Sequence, residues 1–161
     1  MGPSGSGKTR LLRAIADLDP HRGEIFLAGR NRNSWPAHQW RKKVGYLPAE
    51  SHWWAESVGE HMAEIPLPAL QALGFEAEVL SWQIARLSTG ERQRLALLRL
   101  LSQQPKLLLL DEPTANLDPD SGARVEACLL ALQSQGVGMI WVSHDAQQLQ
   151  RVSHRALHIV N

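Results

Sequence analysis

The sequence is poor in the residues that mark several protein classes. It holds one cysteine, Cys128, so no intramolecular disulfide is available, which fits a reducing compartment. Cys128 falls inside a helical stretch and is read as a packing residue rather than a reactive thiol. Net charge is only +1, too little for a bulk electrostatic attraction to nucleic acid or an anionic membrane. No nucleic-acid partner is therefore expected. No segment approaches the ~20 apolar residues that a membrane-spanning helix needs. The run Leu107 to Leu110 is bracketed by Lys106 and Asp111. The opening residues are rich in glycine rather than apolar, so no signal peptide is expected. His38, His52 and His61 lack metal-ligand spacing and are read as solvated surface.

What remains is an ordinary globular composition, 43% hydrophobic and 20% charged over 161 residues, enough for one domain with a core. Helix and strand signals alternate. Residues 8–18 carry Leu11, Leu12, Ile15 and Leu18 on one helical face. Residues 24–28 and 44–47 read as short strands. Residues 55–85 have helical tendency, broken by Pro66, Pro68 and Gly74, and 91–103 reads as a strong helix. The leucines 107–110 suit a strand buried on both faces. A helix over 119–135 starts behind Asp118 and stops at Gly136. Strands follow over 138–142 and 156–160. This alternation predicts an α/β fold, a mostly parallel sheet with flanking helices and a short helical subdomain over 50–90.

Residues Gly2-Pro3-Ser4-Gly5-Ser6-Gly7-Lys8-Thr9 match the phosphate-loop pattern G-x-x-x-x-G-K-[ST] at every fixed position. Glycines let successive N–H groups converge on one anion, and the helix that follows adds its positive end. In such a loop Lys8 reaches the β- and γ-phosphates, and the Thr9 hydroxyl is a Mg²⁺ ligand. The strand 107–110 delivers Asp111 and Glu112 to the ligand-binding edge of the sheet. Asp111 is the candidate Mg²⁺ holder, and Glu112 the candidate general base for an attacking water. Leu87-Ser88-Thr89-Gly90-Glu91 opens the helix that follows it, placing a hydroxyl and backbone N–H groups at a helix N-terminus. A plain helix cap is the alternative reading there.

Together these motifs resemble the ATP-binding cassette (ABC) transporter nucleotide-binding subunits, over nearly the whole chain and in the family's order. Residues 87–91 are similar to the family signature L-S-G-G-Q, with Thr89 and Glu91 departing from it. The resemblance implies that Ser88 and Gly90 grip the γ-phosphate of ATP held by another subunit, so that two sites form in a head-to-tail dimer. Ala115-Asn116-Leu117-Asp118 resembles the D-loop, with Asp118 at the dimer interface. Ser143-His144-Asp145 resembles the switch-histidine loop, with His144 on the γ-phosphate or the water. The implied activity is ATP hydrolysis that energises a separate membrane permease. Such a subunit is cytoplasmic and peripheral, held at the inner face of the membrane through that permease.

Three departures generate expectations. Ala49 stands where the family has a glutamine, and Glu50 substitutes for it only if the loop shifts by one residue. Thr89 adds a Cβ where backbone approaches phosphate. The phosphate loop begins at residue 2, without the strand that precedes it in the family. Met1 is therefore expected to be an internal methionine of a longer chain or the start of a truncated one, making 1–161 a single, N-terminally incomplete domain. The alternative to an active ATPase is a weakly hydrolysing or vestigial regulatory subunit. Trp53 and Trp54 suit either a permease interface or packing within the subdomain.

Overall fold

The computed structural model describes residues 6–62 and 64–159. Gly2, Pro3, Ser4 and Gly5 of the phosphate loop lie outside the described residues. The fold is built around three parallel strands, β3 (Val44–Leu47), β4 (Leu107–Asp111) and β5 (Gly138–Val142), in the spatial order β3-β4-β5. Strand β4 is central. Leu107 pairs with Val44 on one side and Gly138 on the other, and this register carries Asp111 opposite Val142.

Alternation along β4 sorts its leucines into two cores. Leu109 faces a cluster with Leu12 and Ala16 at helix α1 (Lys8–Ile15), Trp40 of helix α2 (Ala37–Lys43) and Val44. Leu108 and Leu110 face a larger cluster with Leu95, Leu97 and Leu98 of helix α4 (Thr89–Leu101) and Val125 and Leu129 of helix α5 (Pro119–Ser134). Leu108, Leu109 and Leu110 are all fully buried, which explains why the strand reads as a continuous apolar run. Trp40 is fully buried too, and its indole N–H donates to the Ile15 carbonyl at 2.9 Å, locking α2 onto the end of α1.

Several expected elements take a different form. Residues 24–28 contribute only β1 (Phe26–Leu27), which pairs antiparallel with β2 (Arg30–Asn31) as a separate hairpin. The first helix stops at Ile15 rather than 18, because Asp17 adopts a positive φ of 61° and turns the chain. The prolines of 55–85 leave one short helix, α3 (Leu67–Ala72), among 3₁₀ turns. No strand forms over the described part of 156–160, where residues 155–159 run without regular pairing. Helix α6 (Ala146–Val152) lies instead just before that segment. His61 is buried rather than solvated. Its ring packs edge-on against Trp53 and Trp54, and Nε2 accepts the Ala55 N–H at 3.0 Å. The two tryptophans divide: Trp53 packs on the core and Trp54 is 74% exposed.

Helix α4 approaches β3 closely over Gly45. A Cβ there would lie 2.7 Å from Leu100 Cδ1 and 3.3 Å from the Pro105 Cβ. Gly45→Ala is expected to cost about 1–3 kcal/mol by overpacking. Urea denaturation should show this as a lower midpoint at unchanged slope.

Candidate functional site

The C-terminal ends of β4 and β5 and the N-terminus of α1 meet at a cavity of about 300 Å³. Gly7, Lys8, Thr9, Asp111, Glu112 and His144 line it, together with Ala49 from the end of β3. Sequence-separated candidates thus converge because three parallel strands end at one edge.

Gly7 enters α1 with φ of 86°, a conformation that favours glycine. Its carbonyl accepts the Leu11 N–H at 2.9 Å, so the helix begins directly at the loop. Lys8 is buried, and the Ser6 hydroxyl is buried with no hydrogen-bond partner among the described residues. An unsatisfied buried donor beside a helix N-terminus suits an oxyanion ligand. The Thr9 hydroxyl donates to Asp111 Oδ2 at 2.7 Å, joining α1 to β4. No group of three or more His, Cys, Asp or Glu side chains capable of holding a metal forms among the described residues. A hydroxyl plus one carboxylate instead fits Mg²⁺, which takes few protein oxygens and completes its shell with water and phosphate.

Tyr46, which sequence reasoning passed over, also reaches this carboxylate. Its hydroxyl donates to Asp111 Oδ2 at 3.3 Å. Burial, then the Asp111 charge, push the Tyr46 pKa up to about 12, so the phenol stays a donor.

Glu112 follows β4 with φ of 50°, an uncommon conformation for a residue with a side chain. Its N–H donates to the Val142 carbonyl at 3.0 Å, extending the ladder to β5. Oε1 is buried without a hydrogen-bond partner among the described residues and lies 3.6 Å from His144 Nε2, too far for a direct hydrogen bond. Burial raises the Glu112 pKa above the ordinary glutamate value, while His144 opposes the shift. His144 sits between two tied residues. Ser143 is buried and its hydroxyl accepts the Asp145 N–H, while Asp145 Oδ1 caps α6 through Gln147 and Gln148.

Ser88 and Gly90 lie at the start of α4. The cap reading holds there: Ser88 Oγ accepts the Glu91 N–H, and the Glu91 carboxylate accepts from both Ser88 N and Oγ at 2.8 Å. Glu91 therefore engages the hydroxyl expected to face a phosphate. A Cβ on Gly90 would meet the Asn116 carbonyl and Leu117 Cδ2 at 3.2 Å, so this turn packs against the segment after Glu112. Asp118 caps α5 by accepting the Ser121 N–H at 3.0 Å, and hydrogen bonding to Ser121, through its side chain first and its backbone second, lowers the Asp118 pKa. Neither Ser88, Gly90 nor Asp118 is among the residues lining the cavity. Ala49 lines it and offers no side-chain oxygen, while the exposed Glu50 does not line it.

Residues 1–115 match the family model described as ABC transporter. The arginine transport ATP-binding protein ArtP of Haemophilus influenzae is 30% identical over 99% of this chain and 75% of its own length. The lipoprotein-releasing system ATP-binding protein LolD of Idiomarina loihiensis is 36% identical, over 94% of this chain and 77% of its own. The rice protein STAR1 is 34% identical over 95% of this chain, which spans 48% of that protein. Among solved structures, the ATP-binding cassette MJ0796 in a dimeric post-hydrolysis state with ADP and Pi superposes with a TM-score of 0.84. It is 26% identical, with coverage of 99% of this chain and 78% of that one. With Gly7, Lys8 and Thr9, a paired Asp111-Glu112 and His144 at one sheet edge, the chain belongs to the ABC transporter family as an ATP-binding cassette.

Proposed function

We propose that the chain binds Mg-ATP and hydrolyses it to energise transport through a separate membrane permease. The observation that carries this reading is the convergence of Lys8, Thr9, Asp111, Glu112 and His144 on one cavity. Gly2, Pro3, Ser4, Gly5, Ser6, Gly7 and Lys8 would cradle the phosphates. Thr9 and Asp111 would hold Mg²⁺, which supplies charge neutralisation on the phosphoryl oxygens when bound.

Glu112 accepts the proton of the attacking water at Oε1. The unpaired state of that buried oxygen supports this role, because a buried acceptor without a donor is costly unless a ligand or water supplies one. His144, 61% exposed at 3.6 Å from Glu112, is free to turn toward the γ-phosphate and orient the water. The retained carboxylate and histidine favour hydrolysis over a vestigial subunit.

The names of ArtP and LolD, both ATP-binding proteins of transport systems, support work with a permease. No helix among the described residues is long and apolar enough to cross a membrane. The exposed Trp54 is a candidate contact within the 50–90 region, proposed as the helical subdomain of a single 1–161 domain. The dimeric MJ0796 structures support a head-to-tail ATP dimer, in which Ser88 and Gly90 would meet the partner's nucleotide and Asp118 would lie at the interface.

Glu112→Gln tests the reading directly. ATP binding, followed by fluorescence of a labelled nucleotide, should persist while phosphate release is lost. Continued turnover would remove Glu112 as the base. His144→Ala should lower kcat by about 100-fold with smaller change in nucleotide affinity.

The same Glu112 variant has a stability signature. A carboxyl whose pKa is raised on folding contributes stability that is complete below the unfolded pKa. That contribution is lost as pH rises through the folded pKa. At neutral pH the wild type carries this loss and glutamine does not. Glu112→Gln should therefore melt higher than wild type near neutrality, and the gap should close toward about pH 4. Thermal melts across this range check it.

A further inference from the structure

We propose that Tyr46 is a positioning residue for the divalent ion, acting through its hydrogen bond to Asp111. The proposal rests on the Mg-ATP reading of the site.

The geometry follows from strand register. Tyr46 on β3 pairs with Leu109 on β4, and Asp111 lies two residues farther along β4, on the same face as Leu109. A phenol is long enough to reach along the strand to that diagonal neighbour. Its hydroxyl lies 3.3 Å from Asp111 Oδ2, the oxygen that the Thr9 hydroxyl also approaches at 2.7 Å. Two donors from two different elements, β3 and α1, thus converge on one oxygen. Among the described residues no hydrogen bond reaches Oδ1.

A carboxylate turns about its Cβ–Cγ bond unless its oxygens are held. Two donors on Oδ2 fix that rotation and leave Oδ1 as the oxygen to be offered to a cation. Outer hydrogen bonds of this kind orient a metal ligand and tune its affinity. The hold matters more here because Ala49, three residues beyond Tyr46 on the cavity wall, contributes no oxygen. The ring has a separate role: Tyr46 packs against the core cluster of Leu12, Trp40, Val44 and Leu109. Packing and positioning can therefore be separated by substitution.

The test uses the full chain with two variants, Tyr46→Phe, which keeps the ring, and Tyr46→Leu, which removes it. Mn²⁺ serves as the spectroscopic stand-in for Mg²⁺, titrated by electron paramagnetic resonance in the presence of ATP. A fluorescent ATP analogue reports nucleotide binding in chelator, and thermal melting reports fold. Both variants are expected to weaken Mn²⁺ affinity by about tenfold, the low end for loss of an outer hydrogen-bond partner, in keeping with a long hydrogen bond. Metal-free nucleotide binding should stay within about twofold of wild type on the same grounds. The melting temperature should fall mainly in Tyr46→Leu. Wild-type Mn²⁺ affinity in Tyr46→Phe would overturn the positioning role while leaving the Mg-ATP reading intact. A parallel loss of metal and metal-free nucleotide affinity in Tyr46→Phe would also overturn it, by assigning the residue to structure alone. Failure of the wild type to bind Mn²⁺ with ATP would overturn both readings.

Discussion

Everything at the site depends on the burial of β4. Leu108, Leu109 and Leu110 have no exposed surface, and the strand is paired along both edges. A strand held this way cannot slip by one residue without turning Leu109 into the wrong core and Asp111 away from Thr9. The apolar run is thus the device that fixes the height and facing of two charged side chains. Helices α1 and α2 close one side and α4 and α5 the other, so hydrophobic packing on both faces sets the position of polar chemistry at the strand's end.

The polar edge is arranged so that some groups are satisfied and others are not. Asp111 has two donors on one oxygen, and Asp118 and Asp145 are spent on helix caps. Ser6 Oγ and Glu112 Oε1 are buried and have no hydrogen-bond partner among the described residues. The contrast separates the capping carboxylates of Asp118 and Asp145 from Asp111 and Glu112, each of which keeps one oxygen without a hydrogen bond among the described residues. Glu112 also carries a positive φ and a pKa raised by burial. Backbone conformation, desolvation and an orphaned oxygen coincide at that one residue, where strain and function are commonly found together.

Much of this was legible in the sequence because the signals are local. The loop ending in Lys8-Thr9, the leucine run ending in Asp111-Glu112 and the Asp118-Pro119 helix start each declare themselves within a few residues. The strands expected over 44–47, 107–110 and 138–142 are legible for the same reason, and the middle one runs one residue further, to Asp111. What escaped depends on distant partners. Tyr46 is recognisable as part of the site only once β3 is paired with β4. His61 looks like surface until Trp53 and Trp54 fold around it. Residues 156–160 have strand-like composition, but composition alone does not supply a partner strand. Helix α6 had a usable signal that was missed, since Asp145 caps it in the sequence Asp-Ala-Gln-Gln.

The close approach of Gly90 to Asn116 and Leu117 has a mechanical meaning. The opening turn of α4 and the segment leaving Glu112 share an interface so close that an added methyl group would require its neighbours to give by a few tenths of an ångström. Close packing of this kind resists movement of either segment past the other. That contact lies only three residues along the chain from the carboxylate in the cavity, so the packing of α4 bears on where Glu112 leaves its strand.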